Sequence, residues 1–277
     1  MTFLGRRLRF GLSTLLGPKP LGFFIPYRYA ASVTPTDYPA LRPVFEAARP
    51  SFADLLDTIE SHADDLRRIL KGRGPARFDQ DWFPRLDAAA AYALVRREKP
   101  RRIVEIGSGH STRFMARAVQ DGGLATRIIC IDPSPRAALA QLDVEHRPIL
   151  LEEADPAVFD ALREGDILFI DSSHIAMPGT DVDRLLLNVL PRLAPGTLIH
   201  IHDITLPDAY PEVWSWRSYN EQIPVGTLLQ GGAYELVFAS HFVVKEVLPT
   251  MKGGILADLP LGPGAHETSL WLRKRER

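Results

Sequence analysis

The chain has 277 residues, of which 45% are apolar and 24% charged, and its formal net charge is −1. This length suits one α/β domain with an added N-terminal part, and the near-neutral charge gives no electrostatic support for a nucleic-acid partner. The single cysteine, Cys130, excludes an intrachain disulfide and fits a reducing cytoplasm. No apolar run reaches the roughly 20 residues that a transmembrane helix needs.

The first 30 residues are basic and contain no acidic residue. Their cations are Arg6, Arg7, Arg9, Lys19 and Arg28. Glycine and hydroxyl residues between positions 11 and 17 interrupt the apolar run that a signal peptide would need. Two interpretations stay open, an arm packed on the domain and a basic amphipathic segment resting on an anionic membrane. The predicted location is cytoplasmic, with peripheral membrane contact as the alternative.

The next two predicted elements are helices. Apolar residues at helical spacing predict one helix over 51–70, with Ser51 as its N-cap, and a second over 84–98 that Lys99 and Pro100 end. Residues 31–50, rich in proline and alanine, read as an irregular connection.

From residue 101 onward, short apolar runs alternate with helical stretches. The predicted strands are 102–106, 127–131, 148–151, 166–170 and 197–201, and the helices between them are 112–120, 135–142, 156–163 and 181–190. This alternation predicts a parallel sheet covered on both faces. Two further strands, 234–239 and 269–272, have no full helix predicted between them, which indicates an antiparallel edge.

The first strand of this region leads into a glycine-containing turn, Glu105-Ile106-Gly107-Ser108-Gly109-His110-Ser111-Thr112. Gly107 and Gly109 allow a tight turn and a close approach of the backbone to a ligand. A dinucleotide site would require a third glycine where this chain has Thr112. Glu105 fits a cationic ligand with an amino group and a sulfonium better than it fits a pyrophosphate.

The second strand ends in Ile131-Asp132-Pro133. An acidic side chain at this position can accept hydrogen bonds from both hydroxyls of a ribose. The alternative is that Asp132 only forms a turn before Pro133. Ribose binding is favoured because the glycine turn and the acidic residue point to the same kind of ligand.

With Val104–Gly109 and Ile131-Asp132-Pro133, residues 86–272 resemble the class I S-adenosylmethionine (SAM)-dependent methyltransferases. The resemblance implies an α/β fold with a Rossmann-like, seven-stranded, mostly parallel sheet, an antiparallel C-terminal edge and an N-terminal helical extension. It divides the chain into an N-terminal arm and helical cap (1–83) and a methyltransferase domain (84–277). SAM is the implied cofactor. Its implied binding residues are Glu105, Gly107, Ser108, Gly109, Ser111, Asp132 and, near the adenine, Glu152 or Glu153, with Glu153 assigned.

Polar side chains also end the fourth and fifth strands, in Asp171-Ser172-Ser173-His174 and His200-Ile201-His202-Asp203. Ligands bind outside the carboxyl ends of strands in an open α/β sheet, so these side chains are expected to converge. In one mechanism, Asp171 with Asp203, His202 or both holds Mg²⁺ or Mn²⁺, which lowers the pKa of a substrate hydroxyl, and His174 is the general base. In the other there is no metal, and His174 or His202 is a base oriented by the aspartates.

The Asp171-x-x-His174 spacing resembles the sugar O-methyltransferases related to macrocin O-methyltransferase. In that group the aspartate is a metal ligand, the histidine is the base, and the strand-five pair is usually two acidic residues, whereas this chain has His202-Asp203. The resemblance implies a small-molecule or sugar hydroxyl as the methyl acceptor.

Aromatic residues follow the fifth strand in a predicted loop. Tyr210 and Trp214 are predicted to contact the substrate, with loop anchoring as the alternative. Two other functions stay open for the whole chain. One is a different metal-assisted enzyme on the same fold, an oxidoreductase or hydrolase. The other is a non-catalytic, membrane-associated subunit.

Overall fold

The computed structural model describes residues 3–250 and 253–276, so the first two residues of the predicted arm and the last residue of the predicted domain lie outside it. Its seven strands are β1 (Arg102–Ile106), β2 (Arg127–Ile131), β3 (Glu145–Arg147), β4 (Ile167–Ile170), β5 (Leu198–Ile201), β6 (Tyr234–Ala239) and β7 (Leu270–Lys274). They form one sheet in the order β3-β2-β1-β4-β5-β7-β6, and β7 runs antiparallel to both of its neighbours. The predicted fold class is confirmed.

Helices cover the sheet and precede it. They are α1 (Phe3–Leu16), α2 (Arg42–Ala47), α3 (Arg49–Ser61), α4 (Ala63–Lys71), α5 (Arg85–Glu98), α6 (His110–Gly122), α7 (Ala157–Asp160), α8 (Asp181–Arg184), α9 (Gln222–Gln230), α10 (Ser240–Glu246) and α11 (Ile255–Asp258). A π-helical turn (Leu185–Val189) and a 3₁₀ turn (Leu190–Arg192) continue α8. Within the described ranges, every helix is too short or too polar to cross a bilayer.

The helix α5 lies between α3 and α6 and is buried along most of its length. Residues 88–91 are four consecutive alanines, all fully buried. Small side chains allow neighbouring helices to approach α5 on several sides at interior packing density. At its start, the Asp87 carboxylate accepts hydrogen bonds from the backbone N–H groups of Thr268 and Ser269, at 2.9 and 3.0 Å. These bonds attach α5 to the segment that enters β7.

The helices α2, α3 and α4 share one apolar core with the antiparallel edge of the sheet. The Phe52 ring on α3 lies 5.8 Å from the ring of Phe238 on β6 and 5.9 Å from that of Phe242 on α10, centroid to centroid. Phe45 on α2 packs 5.4 Å from Phe242. Residues 42–71 are therefore packed on the domain through aromatic contacts.

The third strand differs from its prediction. It covers Glu145–Arg147, whereas the apolar pattern predicted 148–151. Pro148 has no N–H to donate to a strand partner, and Leu151–Glu153 forms a 3₁₀ turn. The predicted strand was wrong because β3 is a polar edge strand, which a search for apolar runs overlooks.

The helix predicted over 135–142 is also absent, and this segment forms turns. The backbone N–H of Arg136 donates to the carbonyl oxygen of Ser108 at 3.2 Å. That bond holds the segment against the glycine turn, so a tertiary contact overrides the helical pattern. In contrast, the connection from β6 to β7, predicted without a full helix, contains α10 and the four-residue α11.

The predicted helix 51–70 is divided into α3 and α4 at His62, whose φ and ψ of −103° and 16° interrupt the helix. The helix starts at Arg49, with Pro50 in its first turn, so Ser51 is not the N-cap. The Ser51 hydroxyl instead donates to the carbonyl oxygen of Val237 on β6 at 2.8 Å. It ties α3 to the sheet.

Candidate active site

The turn after β1 closely approaches the end of β4. Gly107 has a φ of +76°, and a Cβ atom added there would lie 1.8 Å from the carbonyl oxygen of Asp171. The backbone N–H of Asp171 donates to the carbonyl oxygen of Ile106 at 2.8 Å. Glycine is required at position 107 both by the left-handed backbone and by the lack of space.

Asp132 holds this turn from the end of β2. One carboxylate oxygen accepts the backbone N–H and the hydroxyl of Ser108, at 2.7 and 2.9 Å. The other accepts the backbone N–H of Ser134 at 2.8 Å. Asp132 lies at the wall of a cavity, where lone pairs not used by these donors can accept hydrogen bonds from a ligand.

Glu105 lies beneath the turn and is fully buried. Its carboxylate accepts hydrogen bonds from the hydroxyls of Ser111 and Thr112 at 2.5 and 2.6 Å, and contacts the Cys130 sulfur at 3.3 Å. The Thr112 hydroxyl in turn accepts the backbone N–H of Gly109 at 2.9 Å. Burial raises the pKa of Glu105 to about 7, although these three donors oppose the rise. Glu105 and Ser111, both predicted at the cofactor, thus support the turn from below.

A cavity of about 620 Å³ opens above the turn, and this volume suits a cofactor-sized molecule. Its walls include Gly107, Ser108, Asp132, Arg136, Glu152 and Asp171. Glu152 is therefore the better placed of the two adjacent glutamates. Glu153 was assigned to the adenine from the sequence, but its carboxylate accepts the backbone N–H of Leu150 at 2.9 Å and closes a local turn outside the cavity wall.

Charged side chains meet at the carboxyl ends of β4 and β5, as predicted. His174 is buried, and its Nε2 lies 3.2 Å from Oδ1 of Asp171 and 3.5 Å from Oδ2 of Asp203. Its Nδ1 lies 2.9 Å from Oε2 of Glu221, which is also buried. His174 and Asp203 have φ values of +60° and +54°, in a region that non-glycine residues seldom adopt and that is enriched at functional sites.

The electrostatics of this cluster favour a protonated imidazole. Burial alone would lower the pKa of His174, but Asp171, Asp203 and Glu221 raise it well above the usual value. Burial alone would raise the pKa of Asp171, but the nearby imidazoles and Arg136 bring it far below the usual range. These shifts favour an imidazolium between the carboxylates of Asp171 and Asp203, whereas burial raises the pKa of Glu221.

Glu221 was missed in the sequence because it lies 47 residues after His174. The backbone N–H of Asn220 donates to the carbonyl oxygen of His174 at 3.2 Å, which brings the two segments together.

The predicted metal ligands do not form a metal-binding group. Throughout residues 3–250 and 253–276, no three His, Cys, Asp or Glu side chains are arranged to hold a metal ion. The carboxylates of Asp171 and Asp203 face His174, and Oδ2 of Asp203 also lies 3.7 Å from Nη1 of Arg217. Oδ1 of Asp203 accepts the hydroxyl of Thr268 at 3.2 Å. One oxygen of Asp171 and both oxygens of Asp203 are thus oriented towards protein donors.

A second, smaller cavity of about 110 Å³ lies beside the first. Its walls include Asp81, Trp82, Arg136, Asp171, His202, Asp203, Trp214, Arg217 and His266. Asp171 and Arg136 line both cavities, so the two spaces meet there. This arrangement can hold two different molecules with their reacting ends next to Asp171.

The two aromatic residues predicted to contact the substrate, Tyr210 and Trp214, have different surroundings. Trp214, predicted to contact the substrate, lines the small cavity, with the guanidinium of Arg217 5.0 Å from its ring. Tyr210 lies behind it, 6.1 Å from the Trp214 ring, and its hydroxyl accepts the backbone N–H of Gln222 at 3.2 Å. Trp82, opposite, has the Arg136 guanidinium 4.5 Å from its ring.

The two histidines of β5 and its end have different surroundings. His200 is fully buried, stacked on Phe169 at 3.7 Å, and its Nε2 lies 2.9 Å from the Ser269 hydroxyl. It is a core residue. His202 lines the small cavity, and its Nε2 lies 3.8 Å from Oδ1 of Asp203. Within the described part of the chain, Nδ1 of His202 has no hydrogen-bond partner.

Comparison with known proteins agrees with this geometry. Residues 104–204, from β1 to just beyond β5, match the family model described as a methyltransferase domain. This part of the chain is similar to a methyltransferase domain. The strand order and the antiparallel β7 of the sheet are those of the Rossmann-like methyltransferase fold. No curated protein sequence matches the chain significantly.

Solved structures similar to this chain have low sequence identity. The SAH-bound Podospora anserina methyltransferase PaMTH1 is 16% identical, with 92% of this chain and 100% of that one covered and a TM-score of 0.43. The Bacillus cereus O-methyltransferase in complex with SAH is 15% identical, with coverage of 80% and 91% and a TM-score of 0.44. The function of this chain is therefore inferred from the family match over residues 104–204 and from its own residues.

Proposed function

We propose that this protein transfers the methyl group of SAM to a hydroxyl of a small-molecule or sugar acceptor. The observation that carries the proposal is the shared wall at Asp171, where a cofactor-sized cavity meets a smaller cavity lined by polar side chains. Methyl transfer needs the sulfonium methyl and the attacking oxygen to be held in line at close distance. Two cavities that share Asp171 and Arg136 in their walls support such an arrangement.

The volume of the larger cavity and the residues in its walls suit SAM. A Cβ atom at position 107 would fill the turn, and Asp132 lies at the tip of β2, where a carboxylate can accept ribose hydroxyls. When bound, SAM supplies an activated methyl group on a sulfonium. Asp171, whose pKa is held far below the usual range, presents a negative charge at the junction of the two cavities.

In the smaller cavity, His202 is the proposed proton acceptor. Imidazole is the usual side chain for this role at neutral pH, and His202 lines the cavity beside Asp203. Asp203 accepts a hydrogen bond from the acceptor or orients the imidazole. The ring planes of Trp82 and Trp214 offer apolar surfaces on which a sugar or an aromatic ring can stack.

We assign His174, the base expected from the sequence, to positioning. Each of its ring nitrogens already faces a carboxylate, and the raised pKa keeps it protonated at neutral pH, so it has no lone pair for a substrate proton. Its imidazolium fixes Asp171 and Asp203 and balances their charge. We route no step through a metal ion, because the same carboxylates are already paired with His174 and Arg217.

The test is methyl transfer from labelled SAM to a panel of sugar and small-molecule hydroxyl acceptors. The wild-type chain should label at least one acceptor. His202→Ala should lower turnover by about 10²-fold or more while SAM affinity stays within a factor of about two. His241→Ala is the matched control, because that imidazole pairs with Asp208 at 2.8 Å outside both cavities, and it should keep full activity. Full activity of His202→Ala would show that another group takes the proton.

A further inference from the structure

Residues 3–36 include α1 and an extended segment with an unusual distribution of charge. Positions 1–36 of the sequence contain five basic residues and no acidic residue, whereas the chain as a whole is almost neutral. The first acidic residue is Asp37. We call residues 3–36 the basic segment. Its charge is complementary to an anionic surface, while the rest of the molecule has a net negative charge.

The basic segment also contains most of the exposed large apolar side chains of the described residues. From residue 8 to residue 37 no side chain is buried. Twelve of the eighteen large apolar side chains that are exposed within residues 3–250 and 253–276 belong to it. They are Leu8, Phe10, Leu12, Leu15, Leu16, Leu21, Phe23, Phe24, Ile25, Tyr27, Tyr29 and Val33. An exposed apolar surface of this kind marks an interaction site.

The arrangement of these side chains suits the surface of a bilayer. Leu8, Leu12, Leu15 and Leu16 follow the i, i+4, i+7, i+8 spacing that places them on one face of α1. The segment after the helix contributes phenylalanines and tyrosines, which favour the boundary between lipid headgroups and acyl chains. Basic residues interleaved with such side chains are typical of helices that lie in the plane of a membrane.

We propose that the basic segment docks on the surface of an anionic phospholipid bilayer. A bilayer offers both an apolar interior for the leucines and phenylalanines and anionic headgroups for the arginines and lysine. A second copy of the chain is a poorer occupant, because pairing two basic segments would bring like charges together. Phe23 also lines the larger cavity, so docking would hold the mouth of the proposed SAM site at the membrane surface.

The experiment is sedimentation of the full-length chain with vesicles of phosphatidylcholine alone and with vesicles in which about one lipid in three is phosphatidylglycerol. The protein should bind the anionic vesicles at least about tenfold more tightly, and higher salt should weaken that binding. Two variants separate the contributions. Leu12→Glu with Leu16→Glu removes the apolar face, and Arg9→Glu with Lys19→Glu reverses two charges. Each pair should weaken binding by about tenfold or more.

The matched control is Leu187→Glu with Ile223→Glu, which changes two apolar side chains that are 70% and 59% exposed elsewhere on the surface. It should bind vesicles as the wild type does. Circular dichroism of every variant should match the wild type, since all the changed side chains are exposed. Equal binding to neutral and anionic vesicles, or wild-type binding by both segment variants, would overturn the proposal. Failure to bind any vesicle, with capture of an acidic protein instead, would also overturn it.

Discussion

Glu105→Gln tests the structure at the base of the cofactor turn. The wild-type carboxyl is fully buried and has three hydrogen-bond donors but no cation beside it, and burial raises its pKa from 4.5 to about 7. The folded chain therefore holds the proton more tightly than the unfolded chain does. At about 1.4 kcal/mol per pH unit, folding should lose about 3 kcal/mol from this group as the pH rises from 4.5 to 7. Glutamine keeps the shape and cannot ionise.

The assay is urea unfolding of both proteins at pH 5, 6, 7 and 8. The free energy of unfolding of Glu105→Gln minus that of the wild type should rise across this range, by about 2–3 kcal/mol, and level off above pH 7. Glu164→Gln, at an exposed carboxyl, is the control, and its difference from the wild type should stay flat. Parallel profiles for Glu105→Gln and the wild type would refute the proposed burial of a proton-binding carboxyl.

Three further outcomes are expected. Gly107→Ala should prevent folding or abolish SAM binding in calorimetry, because the added Cβ would lie 1.8 Å from the carbonyl oxygen of Asp171. A stable variant with wild-type affinity for SAM would contradict this close approach. His174→Asn should lower the free energy of unfolding by about 3 kcal/mol at pH 7, since three carboxylates lose their shared counter-charge, and a loss under about 0.5 kcal/mol in urea unfolding would rule that pairing out. Activity should survive dialysis against EDTA, whereas loss of turnover that Mg²⁺ or Mn²⁺ restores would return Asp171 and Asp203 to the role of metal ligands.

The strands that contain apolar runs were readable because their signals are local. The bounds of β1, β2 and β6 match the predicted strands 102–106, 127–131 and 234–239. In these strands, buried apolar runs end at turn residues, and the strand sequence alone carries that signal. β3 gave no such signal, because Glu145–Arg147 is polar and short and takes its conformation from pairing with β2.

The residues of the site could be predicted from the sequence, but the contacts among them could not. Asp171, His174, His202 and Asp203 could be expected to meet because each follows a strand whose end lies at one edge of the sheet. What the sequence could not give was the pairing among them. Glu221 comes from a distant segment, and its contact adds to the rise that Asp171 and Asp203 cause in the pKa of His174. Likewise, Glu105 could be recognised as part of the turn, but its side chain faces inward.

The most direct test of the central inference is isothermal titration of the full-length protein with SAM and with its demethylated product. We predict binding with a dissociation constant on the order of 1–100 μM, in the range of ordinary enzyme–substrate affinities. Asp132→Asn should weaken it by about tenfold or more, because a carboxylate that can accept the ribose hydroxyls is lost, while Glu164→Gln should leave it unchanged. Absence of binding of either ligand to the folded wild-type chain would contradict the assignment of a SAM-dependent methyltransferase.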